Sequence, residues 1–110
     1  MNKLYLYINT SDSTITTVGL EKNRKKYLLK EKTGDLKSQN LLPLIDKILK
    51  KHKQSFSSNK VKLEDLTGIE VNTGPGSFTG LRVGVAVANT LGWILGIPVN
   101  GKKGLVLPQY

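Results

Sequence analysis

The 110-residue sequence contains no cysteine and only one histidine, His52. Disulfides, thiolate-bound metals and a metal site built on two histidines are therefore excluded. His52 lies between lysines 50, 51 and 53, where a solvated helix end is the expected setting. No base accompanies Ser77, so nucleophilic catalysis is not expected either. The lack of cysteine fits a reducing compartment, and we expect a cytoplasmic protein.

Arginine and aromatic residues are scarce, although the chain is strongly basic. There are 17 Lys and Arg residues against 8 Asp and Glu, a formal net charge of +9, but the only arginines are Arg24 and Arg82. Such a charge attracts nucleic acid or an acidic partner. Aromatic residues make up 6% of the chain, and the sequence shows no evident basic-aromatic stacking surface. Direct nucleic-acid binding is therefore an alternative and not the leading interpretation.

The sequence also lacks a long apolar run free of polar residues. Residues 83–101 carry no charge, but they include Asn89, Thr90, Pro98, Asn100 and four glycines. A membrane span prefers about 20 predominantly apolar residues. This stretch instead predicts a buried helix followed by a strand, and we expect no membrane association.

Alternating and continuous apolar runs predict strands, and apolar spacings of three and four residues predict helices. The expected order is βββαβαβ, with strands at 4–8, 14–20, 25–32, 68–71 and 96–99 and helices at 39–53 and 78–95. Pro43 is harmless only in a first helical turn, so the first helix should begin near 38–40. This order predicts an α/β fold, with a mixed sheet of about five strands covered by helices. Residues 1–101 form the expected domain, and 102–110 a tail.

A glycine-rich loop joins the fourth strand to the second helix, and it contains Gly74, Pro75, Gly76, Ser77, Phe78, Thr79 and Gly80. It is not a Walker A loop, because Leu81-Arg82 follows the last glycine instead of Lys-Ser or Lys-Thr. It is not the dinucleotide fingerprint, because Thr79 occupies the place of the third glycine. Phosphate binding at the helix N-terminus is one interpretation. The favoured one is a tight turn whose glycines take positive φ or permit close backbone approach.

The second predicted helix carries a stripe of residues with small side chains. Gly80, Gly84, Ala88 and Gly92 recur every four residues. The two interior glycines, Gly84 and Gly92, cost the helix roughly 2 kcal/mol relative to alanine. Another backbone packed closely against the stripe would offset that cost. We expect the first helix, a neighbouring subunit's helix, or both to cover it.

Four segments resemble one protein family, the TsaB (YeaZ) proteins. The residues from Gly74 to Gly84 (GPGSFTGLRVG) resemble the family's signature segment. Residues 38–45 (SQNLLPLI) are similar to its His-Ser-Gln-x-Leu-Leu-Pro-x-Ile stretch, residues 9–11 to its Asp-Thr-Ser, and residues 96–99 to its Gly-Ile-Pro-Val. The resemblance extends to about residue 101.

The resemblance implies an actin/hexokinase-like (ribonuclease H-like) lobe and a role in making threonylcarbamoyladenosine on tRNA. It implies a non-catalytic subunit that binds a TsaD-like catalytic subunit through helices 39–53 and 78–95, in a system with a TsaE-like ATPase. ATP and metal are then expected in the partner subunits and not in this chain, and tRNA contact is expected to be indirect. The expected interface residues are Leu41, Leu44, Ile45, Ile48, Gly80, Gly84, Ala88, Leu91 and Gly92, and the family-motif loop is residues 74–80 with Arg82.

The sequence departs from the family pattern at two motif positions. Asn9 stands where the family has aspartate, and Lys37 where it has histidine. Asn9 is the poorer Mg²⁺ ligand, which argues further against catalysis. The tail 102–110 does not match the family, and the second lobe of typical members has no counterpart in the sequence. The alternatives are a basic, self-associating domain that binds tRNA directly and, disfavoured, a nucleotide-binding or glycoprotease-like enzyme; the isolated chain could also form a homodimer.

Overall fold

A computed structural model describes residues 3–22, 24–51 and 61–109. Its strands are β1 (Leu4–Asn9), β2 (Ile15–Lys22), β3 (Lys25–Lys32) and β4 (Gly68–Val71), and its helices are α1 (Lys37–Lys51) and α2 (Phe78–Leu95). Short 3-10 turns occupy Gly34–Leu36 and Leu63–Asp65. The predicted order is confirmed as far as α2. His52, Lys53 and the loop expected after them lie outside the described residues.

The four strands form one mixed sheet in the order β3-β2-β1-β4. β1, β2 and β3 pair antiparallel, whereas β4 runs parallel to β1. The pairing of β2 with β3 extends from Lys22 and Lys25 to Ile15 and Lys32. The mixed α/β sheet is therefore confirmed, with β1 as a central strand.

Both helices pack on the same face of the sheet. Alternation along β1 sends Leu4, Leu6 and Ile8 to this face, where they are buried. α1 packs mainly on β2, and α2 on β4 and β1. The core is completed from the helices by Leu41, Leu44, Ile45, Ile48, Leu49, Leu81, Val85 and Ala88. Tyr5 and Tyr7 lie on the opposite face of the sheet, which neither α1 nor α2 contacts.

Helix α1 begins slightly earlier than Pro43 led us to expect. Its first residue is Lys37, so Pro43 lies in the second turn. Proline there leaves the carbonyl of Gln39 without its helical donor. Gln39 is exposed, and water can satisfy that carbonyl. The helix can therefore start at the buried Lys37 without leaving an unsatisfied buried group.

The fifth predicted strand is reduced to a single bridge. Val99 pairs with Ile69 in parallel, but no strand extends from it. Asn100 has a φ of 51°, which turns the chain away from the sheet. Its side-chain amide replaces a strand peptide, since Oδ1 accepts from Val71 N (2.8 Å) and Nδ2 donates to Val71 O (3.0 Å). The prediction of about five strands is thus corrected to four within residues 3–22, 24–51 and 61–109.

Helix α2 is long and apolar enough to cross a membrane by length and composition alone. Its inner face is buried against the sheet. Ser77 caps its start by accepting from Gly80 N, and Gly96, at a φ of 68°, ends it. A helix packed on one side of a folded core passes the same hydropathy test, so this feature is weak evidence for a membrane span.

Candidate functional site

The glycine-rich loop docks on the segment that follows β1. β1 and β4 are parallel, so their carboxyl ends bring Ser11 next to residues 74–77. Ser77 N donates to Ser11 O (2.7 Å). A Cβ on Gly76 would lie 2.7 Å from both the Cβ and the carbonyl oxygen of Ser11. Gly74 has a φ of 129°. This confirms the expectation that the glycines take positive φ or permit close backbone approach.

The first turn of α2 packs equally closely on Thr10, which is fully buried. Thr10 Oγ1 donates to Gly80 O (2.5 Å). A Cβ on Gly80 would overlap the carbonyl oxygen of Thr10, and a Cβ on Gly84 would overlap Thr10 Oγ1. Further along the helix, a Cβ on Gly92 would lie 2.5 Å from Val99 Cγ2. The small-residue stripe therefore seats α2 on the chain's own backbone.

This arrangement corrects the expectation that a neighbouring protein's helix covers the stripe. Gly80, Gly84, Ala88 and Gly92 are buried within the chain. The expected interface residues of α1, namely Leu41, Leu44, Ile45 and Ile48, are at most 3% exposed and belong to the same core. Leu91 is the one expected interface residue that is partly accessible. The physical reason is that a sheet offers a helix the same close approach that a partner helix would.

Lys37 anchors the start of α1 in the interior. The residue is 5% exposed, and its Nζ donates to Ile15 O (3.1 Å), Thr16 Oγ1 (3.1 Å) and Thr33 Oγ1 (3.4 Å). Burial lowers the pKa of Lys37, and the nearby charge of Asp12 opposes that shift in part. At the position where the family has histidine, this chain therefore has a buried lysine, whose ammonium group links β2, the end of β3 and α1. Only the resemblance drew attention to this residue, because no periodicity singles it out.

The polar groups at the carboxyl ends of β1 and β4 are used within the chain. Asn9 Oδ1 accepts from Ser11 N (3.0 Å) and Ser11 Oγ (2.6 Å), and Asn9 Nδ2 donates to the Tyr7 hydroxyl (3.2 Å). Asn72 Oδ1 accepts from Gly74 N (2.9 Å). No group of three His, Asp or Glu side chains in the described ranges could hold a metal ion. These contacts brace the junction between β1 and the loop.

The outer face of α2 is apolar and uncovered in the described part of the chain. The 18-residue helix carries one charged residue, Arg82. Trp93 is 85% exposed, Ile94 63% and Phe78 56%. Leu42 of α1 is exposed as well. Large apolar side chains grouped on one surface mark protein interaction sites. Sequence reasoning singled out this helix but expected contacts on its other side, which is buried within the chain.

Two asparagine side chains that the sequence did not single out hold the chain after α2. Asn100 completes the edge of β4, as described above. Asn89 of α2 clamps the peptide of Val106, because Nδ2 donates to Val106 O (2.8 Å) and Oδ1 accepts from Val106 N (3.0 Å). Gln109 N donates to Thr73 O (2.6 Å). The segment expected to be a tail therefore returns along α2 to the glycine-rich loop.

A mixed sheet with two helices on one face and a loop docked at the carboxyl ends of its parallel strands defines a lobe of the actin/hexokinase type. The family model "TsaD: tRNA N6-adenosine threonylcarbamoyltransferase" matches residues 30–103. The "tRNA threonylcarbamoyladenosine biosynthesis protein TsaB" of Buchnera aphidicola (subsp. Baizongia pistaciae) is 37% identical over 98 residues, 89% of this chain and 41% of that protein. The structure of YeaZ from Pseudomonas aeruginosa matches with a TM-score of 0.73 at 26% identity, covering 88% of this chain and 42% of that one.

The chain therefore belongs to the TsaB/YeaZ family, within the wider family that the threonylcarbamoyltransferase model describes. A "tRNA N6-adenosine threonylcarbamoyltransferase" of Vesicomyosocius okutanii is 42% identical over 60 residues, 54% of this chain and 16% of that protein. The chain spans about two fifths of the length of the Buchnera relatives that it matches.

Proposed function

We propose that the chain is a non-catalytic partner subunit in tRNA threonylcarbamoyladenosine biosynthesis, which acts in the cytoplasm by binding a TsaD-like catalytic subunit. The names of the relatives support a role in threonylcarbamoyladenosine biosynthesis. The apolar outer face of α2 supports binding to a protein partner. The chemistry, with its ATP and metal and a TsaE-like ATPase, then belongs to the other subunits.

The uncovered apolar face of α2 is the observation that carries this proposal. A surface helix normally places charged side chains toward water. On α2 the outward positions are occupied by Ala86, Thr90, Trp93 and Ile94, with Arg82 as the one charge. A partner that buries Trp93 gains the kind of anchor that dominates protein interfaces. The proposed interface is this outer face together with Leu42, in place of the buried stripe.

The family-motif loop supports the interface without taking part in chemistry. Its glycines lock the start of α2 against Thr10 and Ser11. This fixes the direction of the helix relative to the sheet. A rigidly held helix loses little conformational entropy on binding, which strengthens association. The motif therefore serves to position the α2 surface.

Co-purification with a TsaD-like subunit tests the proposal. Trp93→Glu would place a charge on the proposed interface, at its most exposed apolar side chain. We expect the affinity to fall by at least about 30-fold, as for loss of a hot-spot residue. Leu28→Glu is the matched control, because Leu28 is also exposed but lies on the opposite face of the sheet. Calorimetric titration of both variants and the wild type gives the comparison.

A modification assay tests the functional half of the proposal. The TsaD-like subunit, supplied with tRNA and its other components, should modify tRNA efficiently only when this chain is added. Trp93→Glu should reduce the stimulation. Equal affinity of Trp93→Glu and wild type, or modification by the chain alone, would contradict the proposal.

A further inference from the structure

The sheet face opposite the helices forms a small surface of tyrosine and lysine side chains. Tyr5 and Tyr7 alternate with the core residues of β1 and therefore share this face. In the sheet register Tyr7 stands beside Gly19 of β2, and Gly19 beside Leu28 of β3. Every described helix packs on the other face. We call this surface the open face.

Two buried glycines let side chains lie flat on the open face. A Cβ on Gly68 would be 2.7 Å from the ring of Tyr5, so that ring lies over the backbone of β4. A Cβ on Gly19 would be 2.7 Å from Leu28 Cδ2 and 3.5 Å from Tyr7 Cβ. Both tyrosines are half-buried. The arrangement presents the accessible parts of two aromatic side chains from the middle of the sheet.

Lysines of the edge strand β3 flank the tyrosines. Lys26 Nζ lies 4.1 Å from the centroid of the Tyr7 ring. The register places Lys30 and Lys32 on the same face, and all three lysines are exposed. The register sets Glu21 opposite Lys26, but none of the three lysines forms a salt bridge in the described part of the chain. Two carboxylates share the face, Glu21 next to Tyr5 and Glu70 next to Tyr7, so the positive charge is concentrated along β3.

This combination matches the chemistry of single-stranded RNA. Bases stack on aromatic rings that a sheet presents, while a row of amines follows the phosphates. Protein partners, by contrast, tend to bury surfaces depleted in lysine. We propose that the open face binds a single-stranded segment of RNA, with bases on Tyr5 and Tyr7 and phosphates along Lys26, Lys30 and Lys32. The site lies on the opposite side of the sheet from the proposed protein interface, and it does not depend on that interface.

Fluorescence anisotropy with unmodified tRNA and with a ten-nucleotide single-stranded RNA tests the proposal, with an RNA duplex of equal length as a competitor. The variant Tyr5→Leu/Tyr7→Leu should weaken binding of the single strand about tenfold or more, because stacking is lost. Tyr5→Phe/Tyr7→Phe keeps the rings and should bind as wild type does. Circular dichroism and thermal unfolding of each variant confirm that it is folded.

The lysines are tested by the salt dependence of binding. Lys26→Gln/Lys30→Gln should lower the slope of log K against log salt by about 1.4, since each phosphate contact contributes about 0.7 for a single strand. Lys51→Gln/Lys103→Gln removes the same charge from exposed positions elsewhere and should leave the slope nearly unchanged. Trp93→Glu should retain RNA binding, which separates this site from the α2 interface.

Three outcomes would overturn the proposal. One is no binding of single-stranded RNA at low salt. Another is an equal effect of the two lysine pairs, which would mean non-specific attraction to the overall charge. The third is a loss of TsaD-like partner binding, but not of RNA binding, in Tyr5→Leu/Tyr7→Leu, which would make the open face a protein interface.

Discussion

Replacing Gly84 with alanine tests whether the chain itself covers the stripe of α2. A methyl group at this position would overlap Thr10 Oγ1 and come within 3.3 Å of Thr10 Cβ and Cγ2. Thr10 is fully buried, and its hydroxyl donates to Gly80 O. The side chain can avoid the methyl only by giving up that hydrogen bond or by moving α2 away from β1.

The magnitude follows from three opposing effects. Losing the buried hydrogen bond costs about 1–3 kcal/mol, and overpacking a core costs about the same. Alanine gains about 1 kcal/mol over glycine in a helix. The chain loses the hydrogen bond or tolerates the overpacking, but does not suffer both costs in full. We therefore expect a net destabilisation of about 1–3 kcal/mol and a melting temperature lower by roughly 4–12 °C. A free stripe would instead make the alanine variant about 1 kcal/mol more stable.

Urea unfolding followed by circular dichroism measures the difference, because the exposed Trp93 is a poor fluorescence reporter of unfolding. A double-mutant cycle with Thr10→Ala isolates the contact. Thr10→Ala removes the atoms that meet the new methyl, so the double variant should be more stable than the sum of the single effects by about 1–2 kcal/mol. Gly84→Ala as stable as the wild type, or additive with Thr10→Ala, would refute the packing described here.

Two further predictions concern Lys37 and Asn100. Burial lowers the pKa of Lys37, so between that lowered value and its ordinary 10.5 the unfolded chain holds the proton more often and stability rises with pH. We therefore expect the urea midpoint of the wild type to rise as the pH approaches 10.5 from below, and Lys37→Met should reduce that rise. An unchanged rise would count against a buried ammonium. Asn100→Ala removes two hydrogen bonds from the edge of β4 and should cost about 1–3 kcal/mol while speeding hydrogen exchange at the Val71 amide. Asn89→Ala is the control, because it should release residue 106 and leave the Val71 amide protected.

The sequence predicted local structure well because local structure depends on local patterns. The continuous apolar run of β1 and the four-residue spacing along α2 were sufficient to place both elements. The stripe shows where such reasoning stops. A repeat of small residues indicates that something packs closely, but the neighbour here is Thr10, which is 74 positions from Gly84 in the chain. Periodicity shows which face of a helix is covered and does not identify the cover.

The open face and Lys37 depended on information that composition does not contain. Few aromatics argued against a stacking surface, yet two of them alternate on one central strand. Only the sheet register shows that Lys26 reaches Tyr7 from a strand that is not its immediate neighbour. Likewise, a lysine at a helix start is ordinarily solvated, and only the fold surrounds Lys37 with three oxygen acceptors.

The burial of the stripe within the chain strengthens the case for a partner. It also moves the proposed interface to the other side of α2. If the stripe were the interface, the remaining apolar residues of α2 would pack on the chain's own sheet and need no further explanation. Since the glycines face the sheet, Trp93 and Ile94 face outward with no cover in the described residues. Their exposure is the unfavourable feature that a binding partner would remove. Because this face and the open face lie on opposite sides of one sheet, the two proposals together predict that a protein bound to α2 leaves the tyrosines accessible and that both proposed partners bind at once.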